Sequence, residues 1–596
     1  MNTVALVGIN ARYNHTNLAI RYLARYAKKN NPEINFSLQE YVINQPILDI
    51  VRSLKEVQAP LVLFSVYIWN REILFKVIRE LKKVSPTTLI GVGGPEVSYT
   101  SESILCSESA VDFVVIGEGE KTVSDLVEFF FTQGCITKAD IPGLAYRNPE
   151  NPEEILKTAT RDLVNLDDLP FPYEQFLPEN EQLGIQDKVD VANRIFYYES
   201  SRGCPFSCSY CLSSVDKKVR FSSIKKVFKE LDYFLEAQVP LVKFVDRTFN
   251  LNEERYLAIW KHILEHHNQK TMFHFEIAAE QFSEKVLDFL QGIPEGIMQF
   301  EVGIQSTNQA TLAEIGRSAH LEKLTHIITR IPKTIHTHLD LIAGLPHESL
   351  AAFKNSFNFV LALKPDMLQL GFLKILSGTQ METFALQSKN TKQAYQWLSH
   401  PPYEVIQSPD MTFEDLCFLK DVEQLLDAYY NAGNFFYTIN SIFSFITQGG
   451  SFTFFDFFAK LVVYFREKRL FENALSTKTY FSCLLDFFAE TESDFITDWK
   501  FPKDFLEGIR DFVRFDFIRS MKVGKFPEWY TRRYSKDAHH QALLCHTKIT
   551  STREAYSFSD YEEFSYNPLT VKKEPCKFLF LYAKKDEKKN SSFMLL

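Results

Sequence analysis

The stretch SRGCPFSCSYC, residues 201–211, places three cysteines on one short segment. Cys204, Cys208 and Cys211 are separated by three and then two residues, and they directly follow a predicted strand at 194–201. Iron–sulfur clusters are held by cysteine thiolates, usually four for a 4Fe–4S cluster. Because no fourth cysteine lies nearby, one iron would stay open for a substrate or cofactor, as in catalytic metal sites. A three-cysteine zinc site and three unrelated thiols are the alternatives.

The composition is that of a folded, mildly acidic protein. The chain has 596 residues, 45% of them hydrophobic and 24% charged, which predicts several globular domains. A net charge of −9 argues against nucleic-acid binding by bulk charge. We find no apolar run of about 18 residues, so no membrane span is predicted, and the N-terminus MNTVALVGIN lacks the features of a secretory signal. Nine scattered or clustered cysteines indicate a reducing, cytoplasmic compartment.

The fold class predicted from the pattern is α/β. Apolar strands alternate with helices up to residue 140, which indicates a Rossmann-like parallel sheet covered on both faces. Ligands of such sheets bind beyond the carboxyl ends of the strands. The four predicted strands are 4–10, 59–69, 88–95 and 111–120. Residues 141–193, rich in proline and aspartate, are interpreted as an ordered connector.

A second strand–helix series covers 194–400 and predicts a partial (β/α)6 barrel with its chemistry at the carboxyl ends of the strands. Its six strands are predicted at 194–201, 240–249, 272–280, 296–306, 337–346 and 366–376. Residues 401–596 form a mainly helical, phenylalanine-rich domain with a late strand at 576–585. They carry no motif of known chemistry.

The cysteine spacing, the position of Tyr210 before the third cysteine and the strand context resemble the radical S-adenosylmethionine (SAM) enzymes. In that family the open iron binds the amino and carboxylate groups of SAM. An electron from the cluster then cleaves SAM to a 5′-deoxyadenosyl radical. The resemblance therefore implies a 4Fe–4S cluster, SAM and an electron donor such as flavodoxin or ferredoxin.

The resemblance also assigns residues at the barrel mouth. Glu301 and Gln305, in FEVGIQS, occupy the position that contacts the SAM ribose or methionine, and Gly344, in IAGLPHE, belongs to the turn that accommodates adenine. Asp246 and Glu276 lie at strand ends that face the same mouth, where either could orient SAM or exchange a proton with substrate. The alternative is an ion pair with a nearby cation: Arg202, Arg247 or Lys243.

A Rossmann-like domain before such a barrel resembles the cobalamin-binding class of the superfamily. That class wraps the corrin and its nucleotide tail with residues that match Ser65, Gly93, Gly94, Pro95, Gly117, Glu118 and Gly119. Glycines suit this task, because a flat macrocycle needs close backbone approach. Asn10 and Arg12 are expected to line the cofactor's edge.

One departure concerns the lower face of cobalt. Many cobalamin domains carry Asp-x-His-x-x-Gly, whose histidine ligates cobalt, whereas this chain reads YNHTNL at 13–18. The histidine is present as His15, but the aspartate that would accept a hydrogen bond from a ligating histidine is not. We therefore expect cobalamin bound with no histidine beneath it. A nicotinamide site is disfavoured, since Gly-x-Gly-x-x-Gly is absent after the first strand.

The layout as a whole resembles uncharacterised cobalamin-type radical SAM proteins with a C-terminal domain of unknown function. It implies a transferase that acts on an unactivated carbon, most simply by methyl transfer. A radical rearrangement or cyclisation and a non-catalytic sensor are the alternatives, whereas methylthio transfer would call for cysteines that Cys106 and Cys135 do not supply at the expected spacing. The substrate stays open. Basic and aromatic residues at 519–536 could grip a nucleic acid strand, but a solvated helix face is favoured.

Overall fold

Eight strands form the first sheet, in the order β7-β6-β5-β4-β3-β1-β2-β8. Strands β1 to β5 and β8 run parallel, and β6 and β7 are antiparallel to their neighbours. In the computed structural model their bounds are β1 Thr3–Asn10, β2 Asn35–Val42, β3 Leu61–Ser65, β4 Leu89–Gly93, β5 Phe113–Val115, β6 Leu144–Arg147, β7 Ile155–Lys157 and β8 Ile185–Gln186.

The structure describes most of the chain and divides it into two units. The first unit comprises 1–349 and 371–412, and the second 350–370 and 413–596. The middle of the predicted connector, 175–184 and 187–190, lies outside the described residues. Those described are 2–131, 137–174, 185–186, 191–318, 320–388, 394–447, 452–491, 496–497, 499–522, 524–546, 552–582 and 592–596.

Alternate residues of the buried strands serve two apolar cores, one on each face of the first sheet. Ala5, Val7 and Ile9 of β1 pack on one face, and Val4 and Leu6 pack on the other. This is the period-two alternation that a strand buried on both sides requires. The covering helices are α1 Leu18–Asn30, α2 Ile47–Val57, α3 Arg71–Val84, α4 Pro95–Ser98, α5 Ser101–Ser107 and α6 Glu120–Phe131.

Two features of this sheet were not predicted. Strand β2, NFSLQEYV, carries polar residues in an otherwise apolar run because its Glu40 is paired with the buried Arg21 of α1. The stretch interpreted as a connector supplies β6, β7 and β8 to the same sheet. The four strands that were predicted correspond to β1, β3, β4 and β5.

The second sheet has six strands in the order β16-β15-β14-β13-β12-β9, which is an open, partial barrel. The pairs from β9 to β15 are parallel. All six predicted strands are present, and the α/β fold class is confirmed. Their bounds are β9 Ile195–Tyr198, β12 Leu241–Phe244, β13 Met272–Ile277, β14 Met298–Gln305, β15 His336–Ala343 and β16 Met367–Phe372.

Helices and two short antiparallel strand pairs lie between these strands or follow the last of them. The pairs are β10 Ser201–Arg202 with β11 Arg220–Phe221, and β17 Gln396–Trp397 with β18 Val405–Gln407. The helices are α7 Ile224–Glu236, α8 Glu253–His266, α9 Glu284–Leu290, α10 Gln309–Glu314, α11 Leu321–Arg330, α12 Leu350–Ala362 and α13 Gln380–Ser388.

The second unit is mainly helical, as predicted, and its phenylalanines form its interior. Phe458, Phe465 and Phe487 are fully buried on neighbouring helices. A three-stranded antiparallel sheet, of which only the middle strand was predicted, adds a smaller core around Phe515. The elements are α14 Phe413–Leu426, α15 Phe436–Ile446, α16 Phe454–Glu467, α17 Thr477–Glu490, α18 Lys503–Ser520, α19 Lys536–His546, α20 Thr552–Ser557, β19 Ser559–Phe564, β20 Cys576–Leu581 and β21 Ser592–Leu595.

Within the described ranges, no helix is both long and apolar enough to cross a bilayer.

The buried ion pair between Arg21 and Glu40 yields a stability prediction. Glu40→Gln removes the carboxylate that the guanidinium of Arg21 contacts at 2.9 Å, and leaves a buried charge uncompensated. We expect the first unit to lose about 3–5 kcal/mol in free energy of unfolding. The measurement is urea unfolding followed by circular dichroism.

A matched control is Asp49→Asn, which breaks the exposed pair between Asp49 and Arg52 (3.2 Å). Exposed pairs contribute about 0–1 kcal/mol, so this variant should unfold nearly as the parent does. Equal losses in the two variants would contradict the structural role of the buried pair.

Candidate functional site

The three-cysteine loop runs from the end of β10 to the start of β11 and is closed by backbone contacts. The amide of Cys204 donates to the carbonyl oxygen of Asp216 at 2.9 Å, and that of Cys211 to Cys208 at 3.1 Å. Gly203 has a φ of +95°, and a methyl group added there would lie 2.5 Å from the carbonyl oxygen of Lys218. The loop therefore has a defined course of its own.

A second segment, after α10, supports the loop from behind. The amide of Ser209 donates to the carbonyl oxygen of Ile315 at 3.0 Å. Gly316 has a φ of +70°, and its added methyl group would lie 2.5 Å from the carbonyl oxygen of Ser207. Only glycine allows the two backbones to approach so closely.

Arg317 brings a positive charge to the thiols. Its Nη1 lies 3.9 Å from Sγ of Cys208, and its Nη2 donates to the carbonyl oxygen of Gly303 on β14 at 2.7 Å. Burial raises the pKa of the Cys208 thiol, Arg317 lowers it, and Cys211 and Cys204 raise it. Arg317 therefore places a fixed cation beside Cys208, the middle cysteine of the loop, and such a cation suits a thiolate. Tyr210 lies next to the third cysteine. Burial raises its pKa, and the opposing effect of Arg317 is smaller.

The three thiols are themselves free. Cys204 and Cys208 are buried and Cys211 is partly exposed. Three free thiols at this spacing on one loop, with no fourth cysteine near them in the sequence, fit the open cluster that the spacing predicts.

Gln305 offers an unused acceptor at the end of β14. Its Oε1 is buried and has no hydrogen-bond partner within the described part of the chain. A bulge gives Gln305 a φ of +69°, and the glycine at 303 leaves space for its side chain, since a methyl group there would lie 2.2 Å from Nε2. An orphaned buried carbonyl oxygen fits a ligand that donates hydrogen bonds, as the amino group of SAM does.

The turn that contains Gly344 follows β15. Gly344 is buried and has a φ of +85°. Just beyond it, the carboxylate of the fully buried Glu348 accepts a hydrogen bond from the hydroxyl of Ser306 at 2.5 Å. The ends of β14 and β15 are thereby held together where SAM is expected.

Glu301 lies in a charged layer on one face of the barrel sheet. Its Oε2 is 3.0 Å from Nζ of Lys243 and 2.9 Å from Nε2 of His274. Burial opposes ionisation, but His274 and Lys243 hold the pKa of Glu301 at about 2. Glu301 is therefore a fixed anion, able to accept hydrogen bonds from a ribose. Its assignment to SAM stays a prediction.

The neighbouring strand adds a second pair to this layer. Nε2 of His338 lies 2.9 Å from Oδ1 of Asp340. Burial raises the pKa of Asp340, whereas His338 lowers it. Sequence reasoning missed His338, Asp340, His274 and Arg317; the polar residues at every second position of THLDL in β15 were the available signal.

The two predicted catalytic carboxylates differ in their surroundings. Asp246 is buried and accepts hydrogen bonds from the amides of Ser200 and Ser201, at 2.6 and 3.0 Å, and from the Ser200 hydroxyl at 2.5 Å. This arrangement joins the ends of β9 and β12 and favours a positioning role. Burial raises the pKa of Asp246 to about 6. Glu276 is only partly buried; burial raises its pKa, and Arg247 lowers it. The catalytic roles of Asp246 and Glu276 stay predictions.

The predicted cobalamin residues gather at the carboxyl edge of the first sheet. Ser65 and Gly93 are register partners at the ends of β3 and β4, and Asn10 ends β1. Gly94 and Pro95 begin α4 with a φ of +115° at Gly94. Gly117 is exposed, and a methyl group added there would meet no heavy atom within 4 Å. Gly119 follows before α6. This open edge fits a large, flat ligand.

Asn10 and His15 shape the loop after β1. Nδ2 of Asn10 donates to the carbonyl oxygen of His15 at 3.0 Å and to Glu40 at 3.1 Å. Nδ1 of His15 lies 3.1 Å from the hydroxyl of Tyr197 on β9. Burial lowers the pKa of His15, as do Arg12 and Lys243. The partner of Nδ1 is thus a tyrosine hydroxyl, in the place where a carboxylate would support a ligating histidine. Arg12 is exposed.

Glu118 is engaged with the barrel. Its carboxylate pairs with Arg220 and, at 3.2 Å, with Arg202, and it accepts the amide of Val164 at 2.9 Å. Burial opposes its ionisation, but the arginines lower its pKa. The contact of Glu118 with cobalamin stays a prediction. The ion pairs with Arg202 and Arg220 give its side chain a structural role.

The basic segment near the C-terminus is mostly paired within the second unit. Lys522 and Arg532 bind the carboxylate of Asp560, Arg519 binds Asp516, and Arg533 lies 3.6 Å from Asp511. These ion pairs argue against a nucleic-acid surface. The favoured solvated helix face is wrong as well, because residues 524–535 are not helical.

Three families match successive parts of the chain. Residues 4–127 match the "B12 binding domain", residues 198–360 the "Radical SAM superfamily", and residues 391–593 a "protein of unknown function (DUF4080)". The chain thus combines segments similar to a B12-binding domain and to a radical SAM domain. The matched domains imply cobalamin, a 4Fe–4S cluster and SAM as its cofactors.

Curated relatives of this chain are distant in sequence. An uncharacterized methyltransferase of Pyrococcus horikoshii is 27% identical over 52% of this chain and 66% of its own length. The cobalamin-dependent radical SAM methyltransferase TokK of Streptomyces tokunonensis is 25% identical over 60% and 53%. An anaerobic magnesium-protoporphyrin IX monomethyl ester cyclase of Synechocystis is 28% identical over 40% and 46%. The chain thus spans 46–66% of the length of these relatives.

A solved structure shares the fold. The cobalamin-dependent S-adenosylmethionine radical enzyme OxsB superposes with a TM-score of 0.60 at 15% identity, over 87% of this chain and 83% of OxsB. This likeness concerns the fold alone.

The close approach at Gly316 gives a prediction for the cysteine loop. Gly316→Ala would place a methyl group 2.5 Å from the Ser207 carbonyl oxygen and displace the loop. We expect iron and sulfide content after anaerobic reconstitution to fall at least twofold, measured by chemical assay and by absorbance.

Gly296→Ala is the matched control. Gly296 also has a positive φ, +83°, but a methyl group there meets nothing within 4 Å. This variant carries the same type of backbone strain without the clash, so it should bind iron like the parent. Equal iron loss in both variants would show that the loop contact is unimportant.

Proposed function

We propose that this chain is a cobalamin-dependent radical SAM enzyme that reductively cleaves SAM and transfers a methyl group to an unactivated carbon. The observation that carries the proposal is the cysteine loop. Its three thiols are free, Arg317 lies beside one of them, Cys208, and the same arginine binds the backbone of β14 two residues before the orphaned acceptor of Gln305. A cluster and a ligand with hydrogen-bond donors would thus be held side by side.

The chain's own residues would divide the work of binding. Cys204, Cys208 and Cys211 would hold the cluster. Gln305, Glu301 and the Gly344 turn would orient SAM, and the open edge of the first sheet would hold cobalamin. When bound, these groups supply an electron, a radical source and a methyl carrier. Asp246 would keep β9 and β12 in register beneath them, and Glu276 is the carboxylate that we propose to exchange a proton with substrate.

Radical cyclisation is the second candidate. It is favoured by the relative from Synechocystis, which is named as a cyclase and matches this chain at 28% identity. Methyl transfer ranks first because TokK, named as a methyltransferase, matches 60% of the chain, whereas the relatives named as cyclases match 40–56% of it.

A non-catalytic sensor is a third candidate of another class. It would bind SAM without turning it over. We also propose a reducing cytoplasmic location and an electron donor such as flavodoxin or ferredoxin. All eight cysteines in the described ranges are free, which suits a reducing environment.

A labelling experiment separates these candidates. The anaerobic, fully reconstituted protein is incubated with reductant, cell extract and SAM that carries a deuterated methyl group. Mass spectrometry should find deuterium in a product and 5′-deoxyadenosine in solution. Deoxyadenosine with an unlabelled product would favour cyclisation, and bound SAM without deoxyadenosine would favour a sensor.

Cys208→Ala should separate the two cofactor modules. The cluster chromophore and SAM cleavage should be lost, because only two thiolates remain on the loop. Cobalamin absorbance should be retained, because the cobalamin residues lie on the first sheet. Cys106→Ala, at an exposed cysteine, should keep both signals. Loss of cobalamin together with the cluster would refute the two-module arrangement.

Gln305→Ala tests the assignment of SAM. Removing a hydrogen bond to a charged ligand costs about 1.5–3 kcal/mol, or roughly tenfold or more in affinity. We expect this loss in equilibrium dialysis of SAM with the cluster-loaded protein, at unchanged iron content. Gln299→Ala is the control. Gln299 lies on the same strand, but its Oε1 already contacts Nδ1 of His274 at 3.2 Å, so its loss should leave the affinity for SAM unchanged. Unchanged SAM affinity in Gln305→Ala would remove this residue from the site.

A further inference from the structure

Two barrel helices carry a cluster of metal-binding side chains apart from the cysteine loop. Asp232 lies on α7, and His262 and His266 lie on α8. One ligand atom from each residue lies within 4.8 Å of the other two. Oδ1 of Asp232 is 2.6 Å from Nε2 of His262. Two imidazoles and a carboxylate form a donor set typical of zinc.

The rings of His262 and His266 lie close together: they stack with centroids 4.3 Å apart, so the exposed His266 ring must turn for both to face one ion. His262 and His266 are four residues apart, so they share one helix face. Nδ1 of His266 lies 2.9 Å from the carbonyl oxygen of His262. When this nitrogen donates its proton, Nε2 keeps its lone pair, which is the usual support of a ligating imidazole. The His262 ring stacks on Phe228 with centroids 4.2 Å apart, which limits its rotation.

The cluster is accessible to an ion. The side chain of Asp232 is 41% exposed, that of His262 is 11% exposed, and His266 is exposed. A cation can therefore enter from solvent and replace the direct contact between Asp232 and His262, while water completes its coordination.

Two other histidine–carboxylate groups of the described chain are less suited to a cation. Glu301, His338 and Asp340 also converge, but Nζ of Lys243 lies 3.0 Å from Glu301 and repels a metal ion. His326 pairs with Glu284 at 2.9 Å, but Arg330 shares that carboxylate at 3.2 Å.

We propose that Asp232, His262 and His266 bind a zinc ion that joins α7 to α8. Both helices support the strand that leads into the cysteine loop. The hydroxyl of Tyr198 on β9 donates to Glu230 of α7 at 2.7 Å, and Nη2 of Arg255 on α8 donates to the carbonyl oxygen of Ser200 at 3.1 Å. An ion bound only by the folded state stabilises it by mass action.

The test is a zinc titration of the full-length, cluster-loaded protein under anaerobic conditions. Calorimetry should find one zinc site, and zinc X-ray absorption should find only nitrogen and oxygen neighbours at about 2.0–2.2 Å. Sulfur neighbours, or no binding, would overturn the proposal. The same zinc should raise the melting temperature of the parent protein.

Three variants make the assignment specific. His262→Ala and His266→Ala should each lower zinc affinity at least tenfold, and His266→Ala should abolish the rise in melting temperature. His326→Ala, at another histidine–carboxylate pair, should leave both unchanged. Because His266 is exposed, its variant should melt like the parent without zinc, which separates metal loss from misfolding. Parent-like zinc affinity in both His262→Ala and His266→Ala would refute the site.

Discussion

The carboxylate of Glu118 connects the two halves of the first unit. It follows β5 at the ligand-binding edge of the first sheet, and it pairs with Arg202 and Arg220, which flank the cysteine loop on either side. Arg202 also binds Glu120 at 2.9 Å and Glu199 at 2.7 Å. Partly buried charges of this kind are costly to separate, because each would lose its partner without regaining full hydration. The distance between the open sheet edge and the thiols is therefore set by the protein itself, and every proposal about the two cofactors depends on it.

The parts of the fold that sequence alone predicted are those with local signals. The cysteine spacing, the apolar strands and the glycines at strand ends each lie within a few residues. Strand β2 was missed because Glu40 interrupts its apolar pattern, and the reason for that charge, Arg21, lies on a different element. Arg317 was missed for a similar cause. Its partners, Cys208 and the backbone of Gly303, are distant in sequence and meet only in the folded barrel.

Residue types at the site were easier to predict than residue tasks. Asp246 was recognised as a strand-end carboxylate, yet its oxygens are occupied by the amides and hydroxyl of Ser200 and Ser201. Glu118 was matched to a cofactor loop, and its carboxylate forms ion pairs with two arginines. The basic residues near the C-terminus looked available, yet Asp560 and Asp516 neutralise several of them. A sequence shows which groups could do chemistry, whereas only the fold shows which of them are already engaged.

The close packing of Gly316 against Ser207 has a consequence for how this sequence can vary. The course of the cysteine loop depends on backbone contacts with Asp216 and Ile315 as well as on its own residues. Residues 315–317, which contain no cysteine and lie about a hundred positions further along the chain, are therefore under the same steric constraint as the three-cysteine motif itself. The motif that a reader sees as eleven consecutive letters is, in the folded chain, a structure of two segments.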